Sequence, residues 1–525
     1  MSETRHSRSA WKFRAVATGG LILLLLFLLS AVLQRQSGAW ESEFGAHPDE
    51  AAHYVTGLML RDYLTHGFPG NPLAFAKKYY EHYPKVALGH YPPGYYIVEG
   101  GWLLLFGSSR SSALLLQCAL SATAGLLIYL IARRFAGGWG AFGSAVLFVA
   151  LPQVQATAVL VMSDLLVAIF CTAAAWAWGK YLQSDRLWYS LGYGICAAAA
   201  ILTKGSGLLL ALIPAMTLCL PGRFTLLRRP SFWVAAVPVL LICVPWMVLT
   251  YKITQEGMAD QPMLEYLKNS IPYYASRMGR VFGPVILAGA LAGIWMHRKQ
   301  LRSGDGVLFA TVSLLPATLI FYSLVPSGFD PRYLLPAAPA LVIFFVLALA
   351  RLATTGRAWL AAAGFLATVA SYWFLPYGPV AEKQFSGFRE AADYIRAQGA
   401  PSERILVASD ARGEGAFIAE MAMRDRKISW TVLRGSKELA SSDWLGREYE
   451  QRKETGEELL KALETEGMEW IVMDKGTPRK DSSRHVESLS SALEAADQRI
   501  YEKLRSGRAV RGEEEAEVMV YRLIH

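Results

Sequence analysis

Ionisable side chains gather at a few places where apolar runs give way to polar ones. Asp49 and Glu50 follow Pro48 in Ala46-His47-Pro48-Asp49-Glu50-Ala51-Ala52-His53-Tyr54. Asp164 follows Met162-Ser163 between two long apolar runs. Lys204 stands in Leu202-Thr203-Lys204-Gly205, and Arg332 in Asp330-Pro331-Arg332-Tyr333-Leu334-Leu335-Pro336. Lys77, Lys78, Lys85, Arg277, Arg280 and Asp330 occupy similar edge positions. An ion-coupled transporter places acids and bases within its helices near the bilayer midplane. Here the apolar runs hold almost none, so the layout suits chemistry at the boundary between membrane and water.

Each position also has a purely structural use. Asp49 and Glu50 open a helix, where the dipole favours negative charge. Ser163 and Asp164 read equally as an N-cap pair. Lys204 could simply snorkel, and Arg332 could anchor a span at the interface. His90-Tyr91-Pro92-Pro93-Gly94-Tyr95-Tyr96 has two prolines that stop a helix and tyrosines that suit an interfacial belt. A metal site drawn from Asp49, His53 and His90 is the minor alternative.

The elements that position these groups follow from composition. Of 525 residues, 53% are hydrophobic and 18% charged. Soluble domains are nearer a quarter charged, so a purely soluble enzyme and a disordered chain are both excluded. The five cysteines lie in apolar runs without CxxC or Cys/His spacing, which rules out a disulfide framework. Runs long enough to span a bilayer cover 16–33, 111–132, 138–160, 165–182, 187–202, 207–220, 232–250, 281–296, 307–325, 333–350 and 358–375. The first lacks a clear cleavage site and is read as a retained helix. Segment 95–107 is shorter and carries Glu99. Laying it along the interface puts Arg133, Arg134, Arg223, Arg228, Arg229, Arg298, Lys299, Arg302, Arg351 and Arg357 on one side. The positive-inside rule then favours about eleven spans, with the N-terminus in the cytoplasm.

The expected architecture is a polytopic α-helical membrane domain, residues 1–376, with a long first outer loop at 34–110. The outer polar segment at 251–280 is read as a loop. A soluble extracytoplasmic α/β domain follows at 377–525. There, helical patterns at 386–398, 414–424, 456–466 and 487–495 alternate with strand-like runs at 404–408, 427–433, 469–473 and 517–523. No Walker or GxGxxG pattern opens this domain.

The order of motifs carries a further signal. An acid pair in the first outer loop, a YPPxYY turn, a second acid, an LTKG segment and a PRYLLPxxP segment occur in sequence over residues 15–350. This resembles the membrane glycosyltransferases of the GT-C superfamily, near the protein O-mannosyltransferase and aminoarabinose-transferase group. Relatives often carry an arginine shortly before the second acid; Val159–Met162 has none.

The resemblance implies transfer of a sugar from a polyprenyl-phosphate carrier to an acceptor at the extracytoplasmic face, with inversion at the anomeric carbon. By that resemblance Asp49 is the general base, Glu50 lies beside it and Asp164 orients the acceptor or the base. Lys204 and Arg332 are first choices for the donor phosphate, with Lys85, Arg277 and Arg280 behind them. His90 is a further phosphate contact, and Tyr91, Tyr95 and Tyr96 hold the turn or stack on sugar and isoprene. No cofactor is implied. The partners are a lipid-linked sugar, an acceptor (protein, glycan or lipid) and membrane lipids, not nucleic acid. A flippase or transporter, and a metal-dependent oligosaccharyltransferase-like enzyme, are the competing readings. The expected location is the bacterial inner membrane.

Overall fold

The structure is a computed structural model that describes residues 3–258, 261–374, 387–441, 449–452, 456–475, 484–496, 501–511 and 514–523. The expected domain boundary after residue 376 lies outside the described residues. The chain begins with α1 (Glu3–Gln36), α2 (Pro48–Thr65), α3 (Pro72–His82), α4 (Gly94–Phe106), α5 (Arg110–Ala150), α6 (Pro152–Ala158), α7 (Asp164–Ser184) and α8 (Leu187–Thr203).

The protein is an integral membrane protein built mainly from helices. Six described helices are long and apolar enough to cross a bilayer: Arg14–Gln36, Arg110–Ala150, Asp164–Ser184, Pro230–Glu256, Gly306–Leu324 and Pro331–Thr354. Met263–Phe282 and Pro284–Met296, bent by 102° at Gly283, make a seventh if taken together. The apolar runs read from the sequence are helical over most of their described residues; the difference from about eleven spans lies in length and breaks. Two expected runs fuse into α5, which is interrupted at Gly137, where φ is +68°. A side chain is strained in that conformation and glycine is not. Leu187–Thr203, Gly205–Leu218 and Ala358–Ser371 are apolar but shorter.

The sidedness read from charge has a structural counterpart. At one end of the bundle Arg134 bonds Gln183, Gln183 bonds Asp305 and Arg229 pairs with Asp185. Asp164 starts the 21-residue helix α7 and Ser184 ends it, so these contacts lie about 30 Å from Asp164. Arg134 and Arg229 thus lie at the opposite end of α7 from Asp164.

α4 packs on α2 and leaves Ile97, Leu104, Leu105 and Phe106 exposed, as a helix lying along an apolar interface does. Two elements correct the sequence reading. Residues 72–82 form α3, and most of the expected loop at 251–280 is helix: Val244–Glu256 continues into it and Met263–Phe282 follows. In the latter helix Tyr266, Ser270, Tyr274 and Val281 are buried at helical spacing while Lys268 and Arg280 face out. Its mixed composition hides that period in a search for apolar runs.

The C-terminal part is an α/β layer. Its strands are β1 (Arg404–Ala408), β2 (Thr431–Arg434), a short pair β3 (Ala440–Ser441) and β4 (Glu450–Gln451), then β5 (Trp470–Asp474), β6 (Tyr501–Arg511) and β7 (Glu514–Leu523). The main sheet runs β2-β1-β5-β7-β6, parallel among the first three and antiparallel beyond. The helix Ala411–Arg424 after β1 packs against α2, so this domain touches the segment that carries Asp49 directly.

Candidate active site

Asp49 occupies the first turn of α2. Pro48 preorganises that turn, and His47 caps it by accepting the Asp49 backbone N–H at 3.1 Å. Asp164 opens α7, and Lys204 stands in extended backbone between α8 and the next helical turn. Arg332 lies in the turn Pro331–Ala337, capped by Asp330, whose carboxylate accepts the Arg332 N–H at 2.9 Å. Gly94 brings the proline-rich turn onto this region. A Cβ there would come within 2.7 Å of the Leu202 carbonyl, two residues before Lys204.

These four segments meet around one guanidinium. Arg332 reaches Asp49 at 2.9 Å, Asp330 at 3.2 Å and Asp164 at 3.8 Å. It also points a donor at the Met162 sulfur, 2.8 Å away. Lys204 donates to Asp164 at 2.6 Å and lies 4.6 Å over the Tyr333 ring. Tyr333 in turn stacks on Tyr322 at 4.7 Å. Tyr91 donates its hydroxyl to Asp49 at 3.0 Å. His47 sits 3.6 Å from both Asp49 and Asp330, bridging the two acids.

The electrostatics follow from this crowding. Asp164, Lys204 and Arg332 are buried, whereas Asp49 retains 21% of its side-chain exposure. Burial, the largest single influence, would raise the Asp49 carboxyl, but Arg332 together with His47 and His53 outweighs it and holds Asp49 well below the usual carboxylate range. Burial likewise opposes charge on Asp330, where a hydrogen bond from His47 and the charge of Arg332 bring its pKa down to about 2. His53 is buried against Tyr91, Tyr95 and Tyr96 at ring separations of 4.7, 5.4 and 5.7 Å. Burial lowers its pKa to about 4.

Not every residue singled out from the sequence joins the cluster. Glu50 is buried and faces the connection before α7, accepting the Val161 N–H at 3.4 Å. Tyr95 and Tyr96 are buried: Tyr95 accepts a hydrogen bond from Gln117 at 2.7 Å, and Tyr96 lies 3.1 Å from His53. They hold the turn rather than present a stacking face. His90 faces Glu256 at 4.0 Å. Lys85 donates to the Ala411 carbonyl at 3.2 Å, on the C-terminal domain. Arg277 lies over Tyr273 at 5.3 Å, on the rim, and Arg280 is exposed. Lys77 and Lys78 are exposed on α3. Among the described residues no three His, Cys, Asp or Glu side chains are grouped to hold a metal ion, so the set Asp49, His53 and His90 is not assembled.

Sequence reading missed His47, Met162 and Tyr333 as members of the cluster, and gave Asp330 no role. Asp-Pro ahead of a helical turn is an N-cap signal that could have found Asp330. Histidine is an uncommon cap, so His47 had no comparable signal. The missing arginine before Asp164 is also explained: Arg332 and Lys204 supply its cations from elsewhere in the chain.

With this geometry in place, comparisons with known proteins can be read against it. Residues 90–249 match the model of the dolichyl-phosphate-mannose-protein mannosyltransferase family. No curated protein matches the chain by sequence. The fold is similar to ArnT from Cupriavidus metallidurans bound to undecaprenyl phosphate, with a TM-score of 0.55, 16% identity, and coverage of 96% of this chain and 97% of that one. The apo form of that protein gives 0.57 at 16% identity, covering 96% and 98%. The oligosaccharyltransferase AglB from Archaeoglobus fulgidus, in complex with an inhibitory peptide and a dolichol-phosphate, gives 0.53 at 15% identity, covering 86% and 69%. The chain therefore has the GT-C fold that these proteins share.

Proposed function

Proceeding from the GT-C fold and the matched family segment, we propose that the protein is an inverting glycosyltransferase. It moves a sugar from a polyprenyl-phosphate carrier to an acceptor hydroxyl at the extracytoplasmic face of the bacterial inner membrane. The observation that carries the reading is the meeting of Asp49, Asp164, Lys204 and Arg332 from four distant segments at one end of the bundle. Asp49, which unlike Asp164 keeps a partly open face, takes the proton as the acceptor oxygen attacks the anomeric carbon. The bond from that carbon to the carrier phosphate breaks, and its electron pair stays on the phosphate. Lys204 and Arg332 stabilise the charge that gathers there, while Asp164 holds Lys204 and orients the pocket. Direct attack opposite the phosphate inverts the anomeric centre.

The test is to incubate purified protein in detergent, together with membrane extract as acceptor source, with a panel of polyprenyl-phosphate sugars. Mass spectrometry should find one sugar consumed and polyprenyl phosphate released. Intact, folded protein that consumes none of them would sink the reading.

A further inference from the structure

Three carboxylates surround the Arg332 guanidinium: Asp330 faces Nε, Asp164 stands near one terminal nitrogen, which donates to the Met162 sulfur, and Asp49 accepts a hydrogen bond from the other. Within the glycosyl-transfer reading, we propose that the donor phosphate exchanges with Asp49 for the Arg332 terminal nitrogen, so that Asp49 becomes an effective base only once the donor is bound. The proposal rests on that reading and adds an order of events to it.

The three acids hold the guanidinium unequally. Asp330 accepts the Arg332 backbone N–H at 2.9 Å, capping the turn that carries Arg332, and its carboxylate lies 3.2 Å from Nε as an ion pair without hydrogen-bond geometry. Asp164 stands farther off at 3.8 Å and has Lys204 as its close partner at 2.6 Å. Asp49 holds Arg332 through one terminal nitrogen only, and keeps a second partner in the Tyr91 hydroxyl at 3.0 Å. Asp164 is buried, whereas Asp49 is partly open and keeps the Tyr91 hydrogen bond, so Asp49 is the ligand an incoming anion can replace without unseating the arginine. An exchange of that contact satisfies the incoming anion at little cost, because the guanidinium trades one charge-assisted bond for another.

The exchange has a chemical consequence. A carboxylate paired with a guanidinium is a weak base, and removing the cation while adding a phosphate nearby strengthens it. The acceptor proton then goes to Asp49, the new bond forms to the anomeric carbon, and the carrier leaves with the electron pair as polyprenyl phosphate. Asp49 then gives its proton to water, and when polyprenyl phosphate departs Arg332 returns to the carboxylate. The donor must bind before the base is competent.

Undecaprenyl phosphate is the probe, titrated against full-length protein in detergent by a thermal-shift or thermophoresis assay. Wild-type protein binds it. Asp49→Asn should bind it at least about five-fold more tightly, because the competing carboxylate is gone. In an Arg332→Gln background the same Asn substitution should change affinity less than about two-fold, since a double-mutant cycle isolates the shared partner. No tightening in Asp49→Asn, or equal tightening in both backgrounds, overturns the exchange while leaving the transferase reading intact. Failure of the wild type to bind undecaprenyl phosphate at all overturns both. A structure of the wild type with the probe bound gives a check free of variants. The Arg332 to Asp49 contact should be broken there, and its retention at hydrogen-bond distance ends the proposal.

Discussion

Arg110 and Glu420, 310 residues apart in sequence, form a buried ion pair that ties the first residue of α5 to the helix Ala411–Arg424. Arg424 joins the same acid from one turn along, at 2.6 Å. Beside this pair Tyr83 donates to Asp425 at 2.6 Å, and Gly415 lies so close to α2 that a Cβ would sit 3.1 Å from Ala51 and 2.9 Å from Lys85. The C-terminal domain thus grips the loop that carries Asp49 at several independent points.

Removing one partner of a buried pair leaves the other charged and desolvated. Glu420→Ala is expected to cost about 3–5 kcal/mol, and joint replacement of Arg110 and Glu420 by apolar residues should restore much of it. Thermal unfolding of the purified protein checks this. A single variant as stable as the wild type would show that the contact contributes nothing.

Asp49→Ala should lower transfer by about 10²-fold or more, the range for losing a general base. The pH profile sharpens the assignment. Arg332 depresses the Asp49 carboxyl, so the base stays ionised down to unusually acidic pH in the free enzyme. The acid limb of kcat/KM should therefore fall below the ordinary aspartate value of about 3.9. With donor bound and Arg332 drawn away, the limb in kcat should lie higher. Coincident limbs in the two profiles would argue against the exchange.

Arg332→Lys keeps the charge but loses the planar fork that serves three carboxylates at once. It is expected to lower kcat/KM by roughly ten-fold or more, since a bidentate guanidinium site is not replaced by a point charge. Lys204→Ala should weaken donor binding in the same assay. If both variants bind and turn over donor like the wild type, these two cations do not hold the phosphate.

Lys85 offers a chemical probe of the contact with the C-terminal domain. Burial beside Arg434 brings its pKa down to about 7, so much of it is a neutral amine at pH 7.5. A small amine-reactive reagent should label Lys85 ahead of the exposed Lys77 and Lys78 at that pH, as followed by peptide mass spectrometry. Lower reactivity than those two lysines would place Lys85 in its ordinary charged state.

Local order was legible where one physical signal dominates. The strand at 404–408 matches β1 residue for residue, because an apolar run between turn signals has one reading. The apolar runs are helical over most of their described residues for the same reason. Met263–Phe282 was hidden because its tyrosines serve as both polar and apolar residues. The members of the candidate site were legible as separate residues but not as a network. Asp49, Asp164, Lys204 and Arg332 were each visible, yet the sharing of Arg332 among three acids depends on contacts between segments up to 283 residues apart. Spacing along the chain carries no trace of that. Glu50, His90 and Lys85 resembled their neighbours in type and position, and only packing sends them elsewhere.

The clasp between α2 and the helix Ala411–Arg424 bears on how the molecule is made. In the chain the clasping helix comes about 360 residues after the acid pair. During synthesis α2 therefore exists for a long stretch without the partner that braces it, and the packing around Asp49 is complete only once the helix Ala411–Arg424 has folded against it.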